Sequence, residues 1–148
     1  MTSHVLLLDD DELVLRTHCA LFQALGVSCS KALSWREALA ALESDVTPQI
    51  VVTDLNMPGV DGFTVLQMLR EMDGVPELKI YAISGATDAH TQQRVADAGF
   101  DGFLSKPLRI DIVRTLIREN SPTVDQGAGW SPCEFGMADA YSYDRALV

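Results

Sequence analysis

Several polar residues in this chain stand where short apolar runs stop. Asp9 and Asp10 follow His4-Val-Leu-Leu-Leu8, and Asp54 follows Ile50-Val-Val-Thr53. Ser84 follows Leu78 to Ile83, and Lys106 comes just after Gly102-Phe-Leu104. Together they offer carboxylates, a hydroxyl and an ammonium. Carboxylates gathered in one pocket repel one another, so they hold protons unless a cation neutralises them. All-oxygen ligands suit a hard divalent ion, and Mg2+ commonly takes one or two carboxylates with water and phosphate oxygens. A lysine adds a compact, mobile charge for a phosphoryl oxygen. A carboxylate so surrounded can itself accept a phosphoryl group, because metal and ammonium neutralise the charge on the group in transit.

These residues can meet only if the elements carrying them end in one place. His4 to Leu8 reads as a strand, β1, and Leu13 to Leu25 as a helix, α1, with Gly26 as its stop. Val27 to Ala32 is a weaker strand, β2. Ser34-Trp-Arg-Glu37 has the capping-box pattern: the Ser34 hydroxyl accepts from an early amide, and Glu37 reaches back to the Ser34 amide. Helix α2 starts there and runs to Glu43. Thr47-Pro48 breaks the chain before β3, Ile50 to Thr53. Asp61 is placed to cap α3, Gly62 to Met72. Leu78 to Ile83 is β4, Asp88 to Ala98 is α4 closed by Gly99, and Gly102 to Leu104 is a short β5. In α5, Ile110 to Glu119, the spacing of Ile110, Val113, Leu116 and Ile117 predicts the buried face. Strands alternating with helices predict a parallel sheet covered on both faces. Ligands of such sheets bind beyond the carboxyl ends of the strands, where Asp9, Asp10, Asp54, Ser84 and Lys106 all fall.

Composition narrows the function further. A length of 148 residues defaults to one domain, with 47% hydrophobic and 22% charged residues. The net charge of −10 argues against direct nucleic-acid contact, which needs phosphate-neutralising Lys and Arg. Cys19, Cys29 and Cys133 are odd in number and lack a C-x-x-C, which favours reduced thiols and a soluble, cytoplasmic protein. No apolar run approaches the roughly 18 residues a spanning helix needs, so no membrane insertion is expected. His4, His18 and His90 have no metal-ligand spacing. Met57, Met68 and Met72 read as packing residues, and Trp35 as partly buried. A flavin-binding loop after β1 would present hydroxyls and amides, not Asp9-Asp10-Asp11.

Four segments taken together resemble one family. Leu8-Asp9-Asp10, Asp54-Leu-Asn-Met-Pro-Gly-Val-Asp-Gly62, Ile83-Ser84-Gly85 and Ser105-Lys106-Pro107 are similar to the motifs of response-regulator receiver domains, over Val5 to about Glu119. The resemblance implies a flavodoxin-like (βα)5 fold, a doubly wound five-stranded parallel sheet of order 2-1-3-4-5. It implies that Asp54 is the phosphoacceptor, charged by a histidine kinase or a histidine phosphotransfer protein. Asp9 and Asp10 match the acidic pair that binds Mg2+, with Asp10 the more direct ligand, Asp54 a third carboxylate, and the backbone carbonyl of Asn56 a further ligand. Ser84 matches the hydroxyl residue that swings toward the phosphoryl group, where Thr is commoner. Lys106 matches the family lysine, Phe103 the switch aromatic, and Lys106–Pro107 a cis peptide bond. The output surface implied is the α4-β5-α5 face, acting on a protein target as a monomer or weak dimer.

Departures and alternatives remain beside this reading. Gly85 stands where Ala is frequent and loosens the β4–α4 loop. Phe103 has no hydroxyl, so whatever it transmits passes through packing. Asp11 and Glu12 add charge at the mouth and face solvent. In the family the acyl-phosphate lifetime depends partly on the positions held here by Asn56 and Ala86, and small Ala86 points to minutes. From Ser121 turn residues take over, so residues 1–120 are expected to form the receiver and 121–148 a flexible or loosely docked tail, too short for an effector domain. A receiver segment of a longer regulator is the alternative, as is an interaction module that never uses phosphate. A phosphohydrolase of haloacid-dehalogenase type needs a second acid two residues after the nucleophile, and Asn56 cannot transfer a proton. No turnover of external substrates is expected.

Overall fold

The computed structural model describes residues 4–72 and 78–120. Its elements are β1 His4–Leu8, α1 Glu12–Ala24, β2 Ser28–Ala32, α2 Trp35–Leu42, β3 Ile50–Asp54, α3 Gly62–Glu71, β4 Lys79–Ser84, α4 Ala89–Ala98, β5 Gly102–Ser105 and α5 Ile110–Glu119. All strand pairs are parallel, in the order β2-β1-β3-β4-β5. This is the expected flavodoxin-like fold. The chain leaves β1 toward β2, then crosses back to β3, so the crevice for a ligand opens between the ends of β1 and β3. Leu8 pairs with Thr53, and one step further that register sets Asp9 beside Asp54.

The central strands are apolar because both faces are covered. Val5 to Leu8 and all of Ile50 to Asp54 are buried. Against them pack Leu15, Cys19 and Phe22 of α1, Val65, Leu66 and Leu69 of α3, and Val113 and Leu116 of α5. Trp35 is half-buried against the same core, as expected. Among the described residues no helix is long and apolar enough to cross a membrane.

Several boundaries differ from expectation, each for a visible reason. Helix α1 begins at Glu12 rather than Leu13 because Asp11 caps it, its carboxylate accepting from the amides of Leu13 (2.9 Å) and Val14 (3.3 Å). Asp11 is exposed, but it is a cap as well as a surface charge. Strand β2 begins at Ser28 because the Val27 amide turns back to Phe22 O at 3.0 Å and closes α1. The capping box of α2 is half as expected. The Ser34 hydroxyl accepts from the Glu37 amide at 3.3 Å, but Glu37 reaches the Leu33 amide (2.8 Å), not that of Ser34. Asp61 caps α3 through the Thr64 amide at 2.9 Å, and Asp88 caps α4 through Thr91 at 2.8 Å. In α5, Ile110 at the first position is 37% exposed, and Ile112 takes its place on the buried face. Residues 121–148, with Cys133 and the expected tail, lie outside the described residues.

At the opposite end of the sheet, Arg70 of α3 ties three segments together. It donates to Leu78 O (3.1 Å), Gly99 O (3.2 Å) and the Asp101 carboxylate (3.0 Å). Asp101 in turn accepts from the Ile80 amide at 2.7 Å.

Gly62 opens α3 in contact with the end of β3. Its amide donates to Leu55 O at 2.9 Å. A Cβ there would lie 2.5 Å from Asp54 O and 2.9 Å from Leu55 Cα, both backbone atoms that cannot rotate away. Gly62→Ala is expected to lower unfolding stability by about 1–3 kcal/mol through overpacking. Urea denaturation measures it, and an unchanged midpoint would show that α3 can retreat freely.

Candidate functional site

Asp9 is fixed from three sides just past β1. Its amide donates to Ala32 O (3.1 Å), its Oδ1 accepts from the Asp11 amide (2.9 Å), and its Oδ2 lies 2.9 Å from Lys106 Nζ. Asp54 ends β3, is 5% exposed, and has Oδ1 3.2 Å from the same ammonium. The Asn56 amide also donates to the Asp54 carboxylate. Lys106 is held at its backbone by its amide's bond to Ser84 O, at 3.0 Å. The peptide bond that follows, Lys106–Pro107, is cis, as expected.

Asp10 completes the cluster from the solvent side. It is exposed where Asp9 is buried. One carboxylate oxygen from each of Asp9, Asp10 and Asp54 lies within 4.8 Å of the others. Three carboxylates against the Lys106 ammonium leave two negative charges without a counter-charge. Asp9 Oδ2 is buried against that ammonium, 2.9 Å away. Hard oxygen donors and a deficit of two positive charges fit a divalent cation.

The electrostatics agree. Burial pushes the Asp54 carboxyl above the usual carboxylate range, and the Asp9 charge pushes the same way; Lys106 and the Asn56 amide oppose them without cancelling the effect. Burial alone would lower the Lys106 pKa, but its bonds and charge interactions with Asp9 and Asp54 outweigh that and raise it, so it stays a cation.

Ser84 and Phe103 extend the site onto β4 and β5. Ser84 ends β4, is buried, and accepts from the Ala86 amide at 3.0 Å. That bond closes the start of the β4–α4 loop, and the cap of α4 is Asp88, so Ser84 does not serve as the helix cap. Gly85 and Ala86 are exposed. Phe103 is fully buried in β5, in register with Ala82.

The histidines bring no ligand to the cluster. His4 bonds the hydroxyls of Ser28 (2.6 Å) and Ser30 (2.8 Å) at the start of the strands, and His90 is exposed. His18 is another matter. It is buried on the core face of α1 and its Nε2 accepts from the Leu108 amide at 3.3 Å. The signal was an ionisable residue within the stripe Leu15, His18, Cys19, Phe22, where the spacing demands apolar side chains.

A profile of the response regulator receiver domain matches residues 5–118. The chain belongs to that family. The sensor kinase CckA of Brucella abortus is 37% identical over 117 residues, covering 78% of this chain and 12% of its own. The response regulator MprA of Mycolicibacterium vanbaalenii is 36% identical over 138 residues, 88% of this chain and 56% of its own. The chain thus spans between 12% and 56% of the length of these two relatives. A CheY-like receiver domain from Methylobacillus flagellatus superposes with a TM-score of 0.72 at 25% identity, over 80% of this chain and 98% of that one. This receiver is therefore a module of two-component signal transduction, whose relatives include response regulators and sensor kinases.

The raised Asp54 pKa has a stability consequence. A carboxyl with a higher pKa folded than unfolded makes ionisation costly to the folded receiver. That penalty is absent below the ordinary carboxylate range and sets in as pH rises through the raised value. Asp54→Asn is therefore expected to raise Tm at pH 7, with the gain shrinking away as pH falls to the ordinary carboxylate range. Thermal unfolding at pH 7 and in that range tests it, and a variant less stable than the parent at pH 7 would contradict it.

Proposed function

We propose that this receiver is a phosphorylatable switch in which Asp54 is the acceptor. The observation that carries the reading is one ammonium, Lys106, 2.9 Å from Asp9 and 3.2 Å from Asp54, within a cluster of three carboxylates. The donor is the phosphohistidine of a histidine kinase or histidine phosphotransfer protein, a class to which relatives named as sensor kinases point. The Asp54 oxygen attacks phosphorus, the bond from phosphorus to the imidazole nitrogen breaks, and the leaving imidazole keeps that electron pair and takes up a proton. Lys106 is placed to neutralise a phosphoryl oxygen, and the Ser84 hydroxyl to donate to another once it leaves the Ala86 amide. Asp9, Asp10, Asp54 and the backbone carbonyl of Asn56 would hold Mg2+, which supplies further positive charge against the phosphoryl oxygens. The chain acts on no external substrate, only on its own phosphorylation and dephosphorylation.

The output follows from the buried layer. Ser84 shifts toward the phosphoryl group, Phe103 fills the space behind it, and the α4-β5-α5 face is repacked for a protein target. The two states need differ by only a few kcal/mol for the switch to work. A net charge of −10 keeps nucleic acid from being that target. The receiver works in the cytoplasm, as a monomer or weak dimer.

Acetyl phosphate, or beryllofluoride, with Mg2+ is expected to shift amide resonances in α4, β5 and α5. Asp54→Asn should leave them unmoved, and chelation of Mg2+ should abolish the response. Identical spectra for parent and Asp54→Asn would make the chain a constitutive interaction module instead. With Ala86 small and exposed, water reaches the acyl phosphate, so its lifetime in purified protein should be on the order of minutes. Radiolabel retained for many hours would refute that.

A further inference from the structure

We infer that His18 is a positioning residue for phosphoryl transfer, holding Lys106 in place through the loop 106–108; the inference rests on the proposed role of Asp54. The loop leaves β5 and enters α5, and Pro107 within it has no amide to donate. Two other amides pin it. The Lys106 amide bonds Ser84 O of β4 at 3.0 Å, and the Leu108 amide bonds His18 Nε2 of α1 at 3.3 Å. Arg109, the residue before α5, supplies no side-chain cap. His18 is therefore a side-chain anchor on the α5 side of the lysine.

The bond has a single chemical reading. A backbone amide can only donate, so Nε2 must be the bare nitrogen and Nδ1 must carry the proton. Burial, which lowers the His18 pKa, keeps the ring in that neutral form. An apolar residue at position 18 would fill the core equally well in type, since its neighbours on the stripe are Leu15, Cys19 and Phe22. What it could not do is accept from Leu108. The loop would then keep the Lys106 amide's tie to Ser84 O but lose its tie to α1, and a four-carbon side chain would carry any slack to the ammonium. Reacting groups displaced by about 1 Å lose up to roughly a hundredfold in rate.

The test uses the full chain, acetyl phosphate and saturating Mg2+, with initial phosphorylation followed by intact-protein mass. Each variant is assayed well below its own Tm. His18→Leu is expected to slow phosphorylation roughly tenfold, while His18→Gln, whose amide oxygen can accept from Leu108, stays near the parent rate. Nitrogen-detected spectra of the parent should show His18 as the Nδ1–H tautomer. A His18→Leu variant that melts lower but is phosphorylated at the parent rate overturns the inference and leaves a packing role. So does a His18→Gln variant as slow as His18→Leu, or an Nε2–H tautomer in the parent. Should His18→Leu not fold, the Gln rate and the tautomer decide: a parent-like rate with Nδ1–H upholds the inference, and either failing overturns it. A parent chain that takes no phosphoryl group, like Asp54→Asn, would instead remove the switch reading itself.

Discussion

One ammonium stands between two buried carboxylates, and the rest of the site follows from that imbalance. Without Lys106, Asp9 and Asp54 would face each other across the end of the sheet with burial and mutual repulsion both opposing their charges. With it, the pair is partly neutralised, and Asp54 still sits above the usual carboxylate range. The site is thus left short of positive charge by design of its residues. It is a place that gains from any group bringing cationic character with it, and of its three carboxylates Asp10 is the one open to solvent.

The sheet supplies this arrangement through register rather than through loops. Parallel pairing of β1 with β3 places Asp9 next to Asp54, and pairing of β3 with β4 places Ser84 one step beyond the partner of Asp54. The strands carry their polar termini as part of the ladder, so β3, β4 and β5 each end one residue beyond their apolar runs. A residue at a strand end inherits the rigidity of the core behind it, which is what fixed positions for a reacting carboxylate require.

Much of this was legible beforehand. The alternation of apolar runs and helical stripes was enough for the fold, and the residue types at the run ends were enough for the cluster of Asp9, Asp10, Asp54 and Lys106. What escaped were partners chosen in three dimensions. Glu37 prefers the Leu33 amide over that of Ser34, a choice set by side-chain direction and not by spacing. Ile110 yields its core position to Ile112 because the face of α5 is set by where the helix lands on the sheet. His18 contacts Leu108 across 90 positions of sequence, and no local pattern encodes an acceptor for an amide so remote.

The Arg70 clamp sits at the end of the sheet away from all of this. One guanidinium gathers the carbonyls of Leu78 and Gly99 and the Asp101 carboxylate, and Asp101 holds the Ile80 amide. The Arg70 and Asp101 charges answer each other at 3.0 Å, while at the far end three carboxylates share one ammonium. The two ends of β4 and β5 therefore differ electrically: one is balanced, the other carries an excess of negative charge. A change of charge at the carboxyl ends thus acts on the unbalanced end of these strands while the Arg70 clamp holds the other.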